Sequence, residues 1–471
     1  MVQIRKHIPT IAAFIVCWMY WIYLIFHSQM VIEHDARGYE YFGSLINHKG
    51  WIEYIRTGPN REPVYPFLIA LSMRISEHFS ILYQLVQRIL QIFILFSAQL
   101  LLWQFLKELK INRWLTAIMI AYFGISPSII NSSLILFSEI VAYPLVLLVI
   151  LLSCRGWLLI QEKEGNKFIF TAIGLGLVLA LLTLAKGAFE IIGVLLLMPF
   201  GLLAIKNLFD QERKVFQRSI IFLLISFLFF YTPIVLYKSL NKKYNGQFVL
   251  TDRGSWALYG NTARRMQPLT PRQWLAALAF VPSWQFCTSV CTQPECEYWS
   301  FIPSDKLGAD KRNELSQVMS PNQVDHKLFI LSIQKILENP VQYFLLMIIE
   351  SLKMFFWEFP WALYVIYPAW IYQVYQLTFL QWFFYLAVPI VTFMTVMYLV
   401  KFVWRHQTHV FSKADESISI LFFITVFMTS FMFVHSFFFI LSRYILLLSP
   451  LYLISTAVFI QHIFLKKSDE K

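Results

Sequence analysis

Long apolar runs alternate with short polar segments along almost the whole chain. Many of these runs approach the roughly 20 residues that a helix needs to cross the hydrocarbon core of a bilayer, and they lack the alternating pattern of an outer-membrane barrel. The pattern therefore predicts an all-α polytopic membrane protein built as a helical bundle. The predicted spans lie near residues 8–30, 80–104, 114–135, 139–160, 168–185, 188–206, 219–240, 380–402, 417–438 and 443–465.

The first apolar run follows the basic sequence "IRKH" and continues past signal-peptide length without a small-residue cleavage site, which indicates a retained signal anchor. The amino terminus is then expected on the cytoplasmic face. The positive-inside rule places later basic segments on the same face: "KELKINR" (107–113), "CRGWLLIQEKEGNK" (154–167), "KNLFDQERKVFQR" (206–218), "KFVWRHQTH" (401–409) and "KKSDEK" (466–471). Asp35, Glu139, Lys186 and Arg443 are then predicted together on the opposite, extracytoplasmic face.

Two segments do not fit a simple alternation of spans. Region 241–340 carries several prolines and scattered charges, which predicts a small extracytoplasmic lobe of loops and short helices. Stretch 338–379 must begin and end on the same face, so it is an interfacial helix pair or two short spans, and we favour the interfacial arrangement. The predicted total is therefore about 10 to 12 membrane spans. The predicted parts are a membrane module 1–240 with first extracytoplasmic loop 31–63, the lobe 241–340, and an interfacial and membrane module 341–471.

Composition narrows the class of protein. Of the 471 residues, 58% are hydrophobic and 14% are charged, which excludes an ordinary soluble domain. The formal charge of +12 is concentrated in short loops between apolar runs, where the positive-inside rule accounts for it, so a nucleic-acid partner is not indicated. Neither a P-loop nor a dinucleotide fingerprint is present in the sequence, so soluble nucleotide chemistry is unsupported.

Three of the five cysteines, Cys287, Cys291 and Cys296, cluster in the predicted lobe. Such a cluster is compatible with a metal site, but it lacks paired C-x-x-C spacing and an obvious fourth ligand. A disulfide on an oxidising face, with one spare thiol, is the preferred interpretation.

The first predicted loop carries the densest group of charges, in "VIEHDARGYEYFGSLINHKGWIEYIRTGPNREPVYPFLIAL" (31–71). An isolated Asp35 would be interpreted as a solvated loop residue. Here it precedes an aromatic-rich segment and an Arg-Glu-Pro sequence that leads back into an apolar run. The combination is more informative than any one of these residues.

These motifs resemble the GT-C superfamily of polytopic glycosyltransferases, particularly the branch of protein O-mannosyltransferases and lipid A aminoarabinose transferases. Asp35, Tyr39 and "EPVYPFL" are similar to the family's first-loop acid, aromatic helix and "P-x-Y-P" element, which includes Tyr65. "LFSEIVAYPLVLL", "LTLAKGAFEIIGVLLLMPF", "ILENPVQYFLLMIIESLKMFFW" and "SRYILLLSPLYLI" resemble four later motifs of that family. The likeness covers most of the chain in order, although each motif is short and degenerate.

The resemblance implies a GT-C-like bundle and an enzyme that moves a sugar from an undecaprenyl- or dolichyl-phosphate carrier to an extracytoplasmic acceptor. Asp35 and Glu139 are the implied catalytic residues. Cations near the ends of spans would hold the donor phosphate, and the candidates are Arg37, Arg61, Lys186 and Arg443. Further candidate contacts to donor or acceptor are Tyr39, Tyr65, Arg253, Tyr259, Arg264, Arg265 and Tyr444.

Each candidate also has a simpler explanation. Arg37 is also consistent with a solvated loop residue, Arg61 with a partner of Glu62, and Lys186 with a lysine that extends its ammonium to the interface. Arg443 is the strongest case because its flanks are apolar on both sides.

The first loop departs from the family's pattern at one position. Many relatives have two adjacent acids there, whereas His34 precedes Asp35 in this chain. Both the identity of the base and the need for a divalent ion therefore stay open, with His34, Asp35 and Glu139 as the candidate metal ligands. The expected location is the inner membrane of a bacterium, with the site facing the periplasm or exterior. The acceptor stays open among lipid A, a surface polysaccharide, another lipid and a protein.

Two other classes of protein compete with the transferase. A flippase or transporter of lipid-linked glycan predicts internal repeats and charges near the middle of the bilayer, whereas the charges here gather at span ends on one side. A polysaccharide polymerase would place its catalytic loops late in the chain, and the early acidic loop argues against it.

Overall fold

The computed structural model describes residues 2–162, 165–358, 364–406 and 415–465, with the backbone alone for residues 2–7 and 442. Nine described helices are long and apolar enough to cross a membrane, and the number is ten if a bent helix pair counts as one broken span. The described structure is almost wholly helical, which confirms the all-α polytopic class. The nine spans are Ile8–His27, Tyr83–Glu108, Glu139–Gln161, Lys167–Ala185, Phe189–Phe209, Arg213–Asn245, Thr378–Arg405, Glu416–Ser436 and Arg443–Leu465.

The bent pair consists of the helices Arg113–Ile125 and Pro127–Leu134, which meet at an angle of 46° as a broken span or a re-entrant loop. Pro127 has no backbone N–H to donate, so it begins a new helix rather than continuing the first. Ser126 caps this second helix by accepting a hydrogen bond from the backbone N–H of Ile129 at 3.3 Å. Nine predicted spans therefore have a counterpart among the described helices of membrane length, and the span predicted at 114–135 corresponds to the bent pair.

The remaining helices are shorter and connect the spans at one end of the bundle. After the first span come Asp35–Lys49, Trp51–Arg56 and Val64–Phe79. Between residues 246 and 377 lie Gly254–Arg265, Pro271–Ala279, Trp284–Val290, Gln293–Tyr298, Phe301–Ser316, Pro321–Glu338, Pro340–Ser351, a 3-10 turn Leu352–Phe355 and Ala369–Tyr375. Irregular turns interrupt the last spans: π turns at Phe383–Ala387 and Gln461–Leu465, and a 3-10 turn at Leu446–Leu448 that follows the short helix Ser442–Ile445.

Stretch 338–379 contains no helix of membrane length in its described part. Its longest helix, Pro340–Ser351, has 12 residues. At about 1.5 Å of rise per residue such a helix is too short to cross a hydrocarbon core of about 30 Å. Residues 359–363 of this stretch lie outside the described residues, as do the basic segment 466–471 and parts of the basic segments 154–167 and 401–409.

A two-stranded antiparallel sheet ties the first loop to this late stretch. Strand β1 (Gln29–Met30) pairs with strand β2 (Val365–Ile366), with Gln29 opposite Ile366. The backbone N–H of Val31 then donates to the carbonyl oxygen of Tyr364 at 2.9 Å. The segment that leads to Asp35 is therefore held against a part of the chain more than 300 residues later.

One continuous hydrophobic core runs from Ala13 in the first span to Val458 in the last. The carboxy-terminal span Glu416–Ser436 packs against both Glu139–Gln161 and Phe189–Phe209. The membrane modules predicted as 1–240 and 341–471 thus share one core. The lobe has two small clusters of its own, and its helices pack on Pro340–Ser351, the helix that follows it.

The cysteine cluster lies in this lobe. A disulfide joins Cys287 to Cys296, and Cys291 is the free thiol beside them. This arrangement agrees with the disulfide interpretation and identifies the pairing that the sequence left open.

Candidate functional site

Two cavities lie at the end of the bundle that carries the first loop and the lobe. The larger has a volume of about 800 Å³ and the smaller about 450 Å³. Glu139, Phe301 and Arg443 line both cavities, so the two are separated by a shared wall. The predicted residues Asp35, Arg61, Glu139, Lys186 and Arg443 gather along this wall.

Asp35 begins the helix Asp35–Lys49 and is held by two guanidinium groups. Its Oδ1 accepts a hydrogen bond from Arg61, and its Oδ2 accepts one from Arg443 Nη2 at 2.5 Å. Burial alone would raise the pKa of Asp35, but the charges of Arg443 and Arg61 outweigh it and hold that pKa well below its usual range. Asp35 is therefore ionised at neutral pH.

Glu139 lies in the first turn of the span Glu139–Gln161 and is only 2% exposed. Its Oε1 accepts a hydrogen bond from Lys186 Nζ at 2.6 Å and lies 4.0 Å from Arg443 Nε. Lys186 occupies the short turn between the spans Lys167–Ala185 and Phe189–Phe209. Burial alone would lower the pKa of Lys186, but Glu139 raises it above its ordinary value, so this lysine is charged.

Aromatic side chains pack against these cations. The ring of Tyr39 lies 4.7 Å from the Arg61 guanidinium carbon, and the ring of Tyr444 lies 4.5 Å from Lys186 Nζ. The hydroxyl of Tyr39 shares a hydrogen bond of 3.1 Å with Ser138 Oγ. Tyr65 lies one layer deeper, where its ring contacts Tyr39 edge-on at 5.0 Å and its hydroxyl donates to Gln91 Oε1 at 2.5 Å. Tyr65 therefore positions Tyr39 rather than lining either cavity.

The backbone around Arg61 is fixed by two other tyrosines. The hydroxyl groups of Tyr54 and Tyr237 both donate to the carbonyl oxygen of Arg61, at 2.6 Å and 3.4 Å. The next residue, Glu62, accepts a hydrogen bond from the backbone N–H of Gly187 at 2.7 Å. Glu62 is thus bound to the turn that carries Lys186, and it leaves Arg61 free to bind Asp35.

Four predicted contacts lie elsewhere. Arg37 is exposed, and its Nε donates to the carbonyl oxygen of Ile32 at 3.3 Å. Positions two apart on a helix do not share a face, so Arg37 points away from Asp35. Tyr259 packs in the core of the lobe, and Arg264 and Arg265 are fully buried there. None of these four side chains lines either cavity, and their contact with donor or acceptor stays a prediction.

Arg264 and Arg265 both bind Glu350, with Arg265 Nε at 2.7 Å from Glu350 Oε2. The two guanidinium groups lie against Trp299 and Tyr343. Burying these cations requires a partner, and Glu350 supplies it. Arg253, by contrast, is exposed and lines the smaller cavity, as expected of a contact.

His34 lines the larger cavity beside Asp35, with a left-handed backbone angle φ of 46° that is uncommon for a residue other than glycine. No group of three His, Cys, Asp or Glu side chains within the described ranges is arranged to hold a metal ion. Asp35 and Glu139 already have cationic partners, so they do not form a ligand set with His34 here.

Some of the charged groups that line the cavities were not assigned by the sequence. Lys238 lines the smaller cavity and donates to Glu190 Oε1 at 2.6 Å. Glu358 lines the larger cavity and is 2% exposed. Lys238 lies near the predicted end of the span 219–240, and its position at a span end was the signal that could have found it.

A scan against models of known protein families finds no match for this chain, and neither does a search of curated proteins. The resemblance to GT-C enzymes therefore rests on the short motifs described above.

Proposed function

We propose that this protein is a membrane glycosyltransferase that moves a sugar from a polyprenyl-phosphate carrier to an acceptor hydroxyl outside the cytoplasm. The observation that carries the proposal is the shared wall of the two cavities. Five segments distant in sequence bring Asp35, Arg61, Glu139, Lys186 and Arg443 together there. A base and a set of cations at one wall are what transfer from a lipid phosphate requires.

The smaller cavity is suited to the lipid phosphate. Its cations outnumber its acids, since Arg61, Lys186, Lys238, Arg253 and Arg443 face Glu62, Glu139 and Glu190. Apolar side chains such as Phe189, Leu250 and Phe438 complete its lining. A phosphate would bind the cations, and the isoprenoid chain would follow the apolar surface into the membrane.

In the proposed reaction the acceptor oxygen attacks the anomeric carbon while the bond from that carbon to the phosphate oxygen breaks. Asp35 accepts the proton of the acceptor hydroxyl, and the polyprenyl phosphate leaves with the bonding electrons. The guanidinium and ammonium groups stabilise the charge that develops on the phosphate. Attack from the side opposite the leaving group inverts the configuration of the sugar.

The two arginines bound to Asp35 connect donor binding with the base. An aspartate held by two guanidinium groups is a weak base. A donor phosphate that binds Arg61 and Arg443 would draw them from Asp35 and raise the affinity of Asp35 for a proton. The base would then become effective only when the donor is in place.

The test is the Asp35→Asn variant, assayed in membranes supplied with radiolabelled undecaprenyl-phosphate hexoses and pentoses. Removal of a general base lowers the rate of transfer by about 10²–10⁴-fold. The matched control is Glu33→Gln, which removes an exposed carboxylate two residues earlier and should leave transfer unchanged. Full activity in Asp35→Asn would overturn the role of Asp35. Translocation of the labelled lipid without transfer in the wild type would overturn the enzyme proposal.

A further inference from the structure

The larger cavity has a lining that differs in kind from that of the smaller cavity. Six aromatic residues line it: Phe137, Trp284, Phe301, Phe356, Tyr364 and Tyr385. Neutral polar residues lie among them: Ser128, Asn131, Ser132, Ser283 and Gln285. Aromatic faces pack against the C–H faces of sugar rings, and hydroxyl and amide groups bond to sugar hydroxyls. This combination is a chemistry that recognises carbohydrate.

The charges of the larger cavity disfavour an anionic ligand. Among its described lining residues, Asp35, Glu139 and Glu358 are acids and Arg443 is the one lysine or arginine. Arg443 is already bound to Asp35. A phosphate in this cavity would therefore meet carboxylates and little compensating charge.

Glu358 strengthens this argument because its hydrogen-bond donors are neutral. Its Oε2 accepts from Ser126 Oγ at 2.6 Å and from Tyr122 at 3.0 Å, and its Oε1 accepts from the backbone N–H of Ser128 at 3.1 Å. No lysine or arginine forms an ion pair with Glu358 among the residues that the structure describes. The carboxyl group is held in place, and no lysine or arginine of the described residues pairs with it when it is ionised.

We propose that the larger cavity binds the acceptor, and that this acceptor is an uncharged glycan. The assignment rests on the proposed transferase function. A volume of about 800 Å³ is large enough for the end of an oligosaccharide, since small-molecule sites commonly enclose about 300–1,000 Å³. The acceptor hydroxyl would approach the shared wall at Asp35 while the donor occupies the smaller cavity.

Trp284 is the residue through which this assignment is best tested. It begins the short helix Trp284–Val290, and its ring makes an edge contact with Phe280 at 6.1 Å. It belongs to the lobe and lies outside the cluster of Asp35 and its cations. Its truncation should therefore weaken the acceptor site and spare the donor site.

The experiment applies the full-length protein in lipid nanodiscs to an array of neutral oligosaccharides, phosphorylated oligosaccharides and Ser/Thr-rich peptides. We expect binding to one or more neutral oligosaccharides, reduced about 10-fold in Trp284→Ala, because the variant removes an aromatic face from the cavity. The control is Trp370→Ala, an exposed tryptophan that does not line the cavity, which should bind as the wild type does. Binding of undecaprenyl phosphate, measured in parallel, should be equal in all three proteins.

Three outcomes would overturn the inference: binding confined to phosphorylated oligosaccharides or peptides, no binding to any neutral oligosaccharide, or neutral binding that is undiminished in Trp284→Ala. Failure of the transferase proposal is distinguishable from these. Neutral-glycan binding that depends on Trp284, in a protein that transfers no sugar, would retain the cavity assignment and remove the enzymatic one.

Discussion

At the scale of single residues, Glu358 is a carboxylate buried among neutral hydrogen-bond donors. Burial raises its pKa from the ordinary value to about 7, and its hydrogen bonds offset only part of that effect. Between about pH 4.5 and pH 7 the folded protein therefore holds a proton that the unfolded chain releases, so stability falls as the pH rises through this window. Glu358→Gln cannot ionise, and we expect its melting temperature to rise relative to the wild type by a few degrees between pH 5 and pH 8.

The measurement is the melting temperature in nanodiscs at several pH values. Glu338→Gln is the control, because Glu338 is an exposed carboxylate at the end of a lobe helix, and its difference from the wild type should be constant with pH. A difference for Glu358→Gln that is equally constant would contradict the assignment of a titrating Glu358.

At the scale of helices, Glu350 joins the lobe to the helix that follows it. Within the described residues it binds Arg264 and Arg265 of Gly254–Arg265, and Lys353 Nζ lies 3.7 Å from it. Glu350→Gln would leave these cations buried without their carboxylate. Breaking such a pair costs about 3–5 kcal/mol. We expect a clearly lower melting temperature and faster tryptic cleavage within the lobe.

Glu314→Gln is the matched control for this helix contact. Glu314 pairs with Lys311 on the surface, where its side chain is 63% exposed, and such pairs contribute about 0–1 kcal/mol. Equal stability of the two variants would show that the buried cluster does not join the lobe to its neighbouring helix.

At the scale of the whole molecule, the spans could be predicted from sequence because hydropathy is a local property. The sequence also predicted that Asp35, Glu139, Lys186 and Arg443 lie on one face of the membrane, because successive loops between spans alternate between the two faces. Which arginine forms an ion pair with which carboxylate could not be predicted in this way. Both Arg61 and Arg264 were predicted to contact the substrates. Arg61 binds Asp35 at the cavities, whereas Arg264 binds Glu350, which lies 86 positions away in the sequence.

The other differences between prediction and structure arise from where a helix ends and from the direction in which a helical side chain points. The span predicted near residues 219–240 contains Lys238, and the helix Arg213–Asn245 continues past this residue, whose side chain lines the smaller cavity. Arg37 was grouped with Asp35 by proximity in sequence, although the two point in different directions once the segment is helical. Such contacts depend on packing between distant segments, which no local pattern encodes.

The predicted orientation of the bundle can be tested through its free cysteines. Cys17 and Cys154 are buried, the disulfide occupies Cys287 and Cys296, and Cys291 is partly exposed in the lobe. If the lobe is extracytoplasmic, a membrane-impermeant maleimide should label wild-type protein in intact spheroplasts, and Cys291→Ser should abolish that label. Arg213→Cys, added to the Cys291→Ser background, introduces a thiol at an exposed position in the predicted cytoplasmic segment 206–218. It should be labelled only after the spheroplasts are permeabilised. The reverse pattern would place the lobe, and with it both cavities, in the cytoplasm, where a donor presented on the outer face could not reach Asp35.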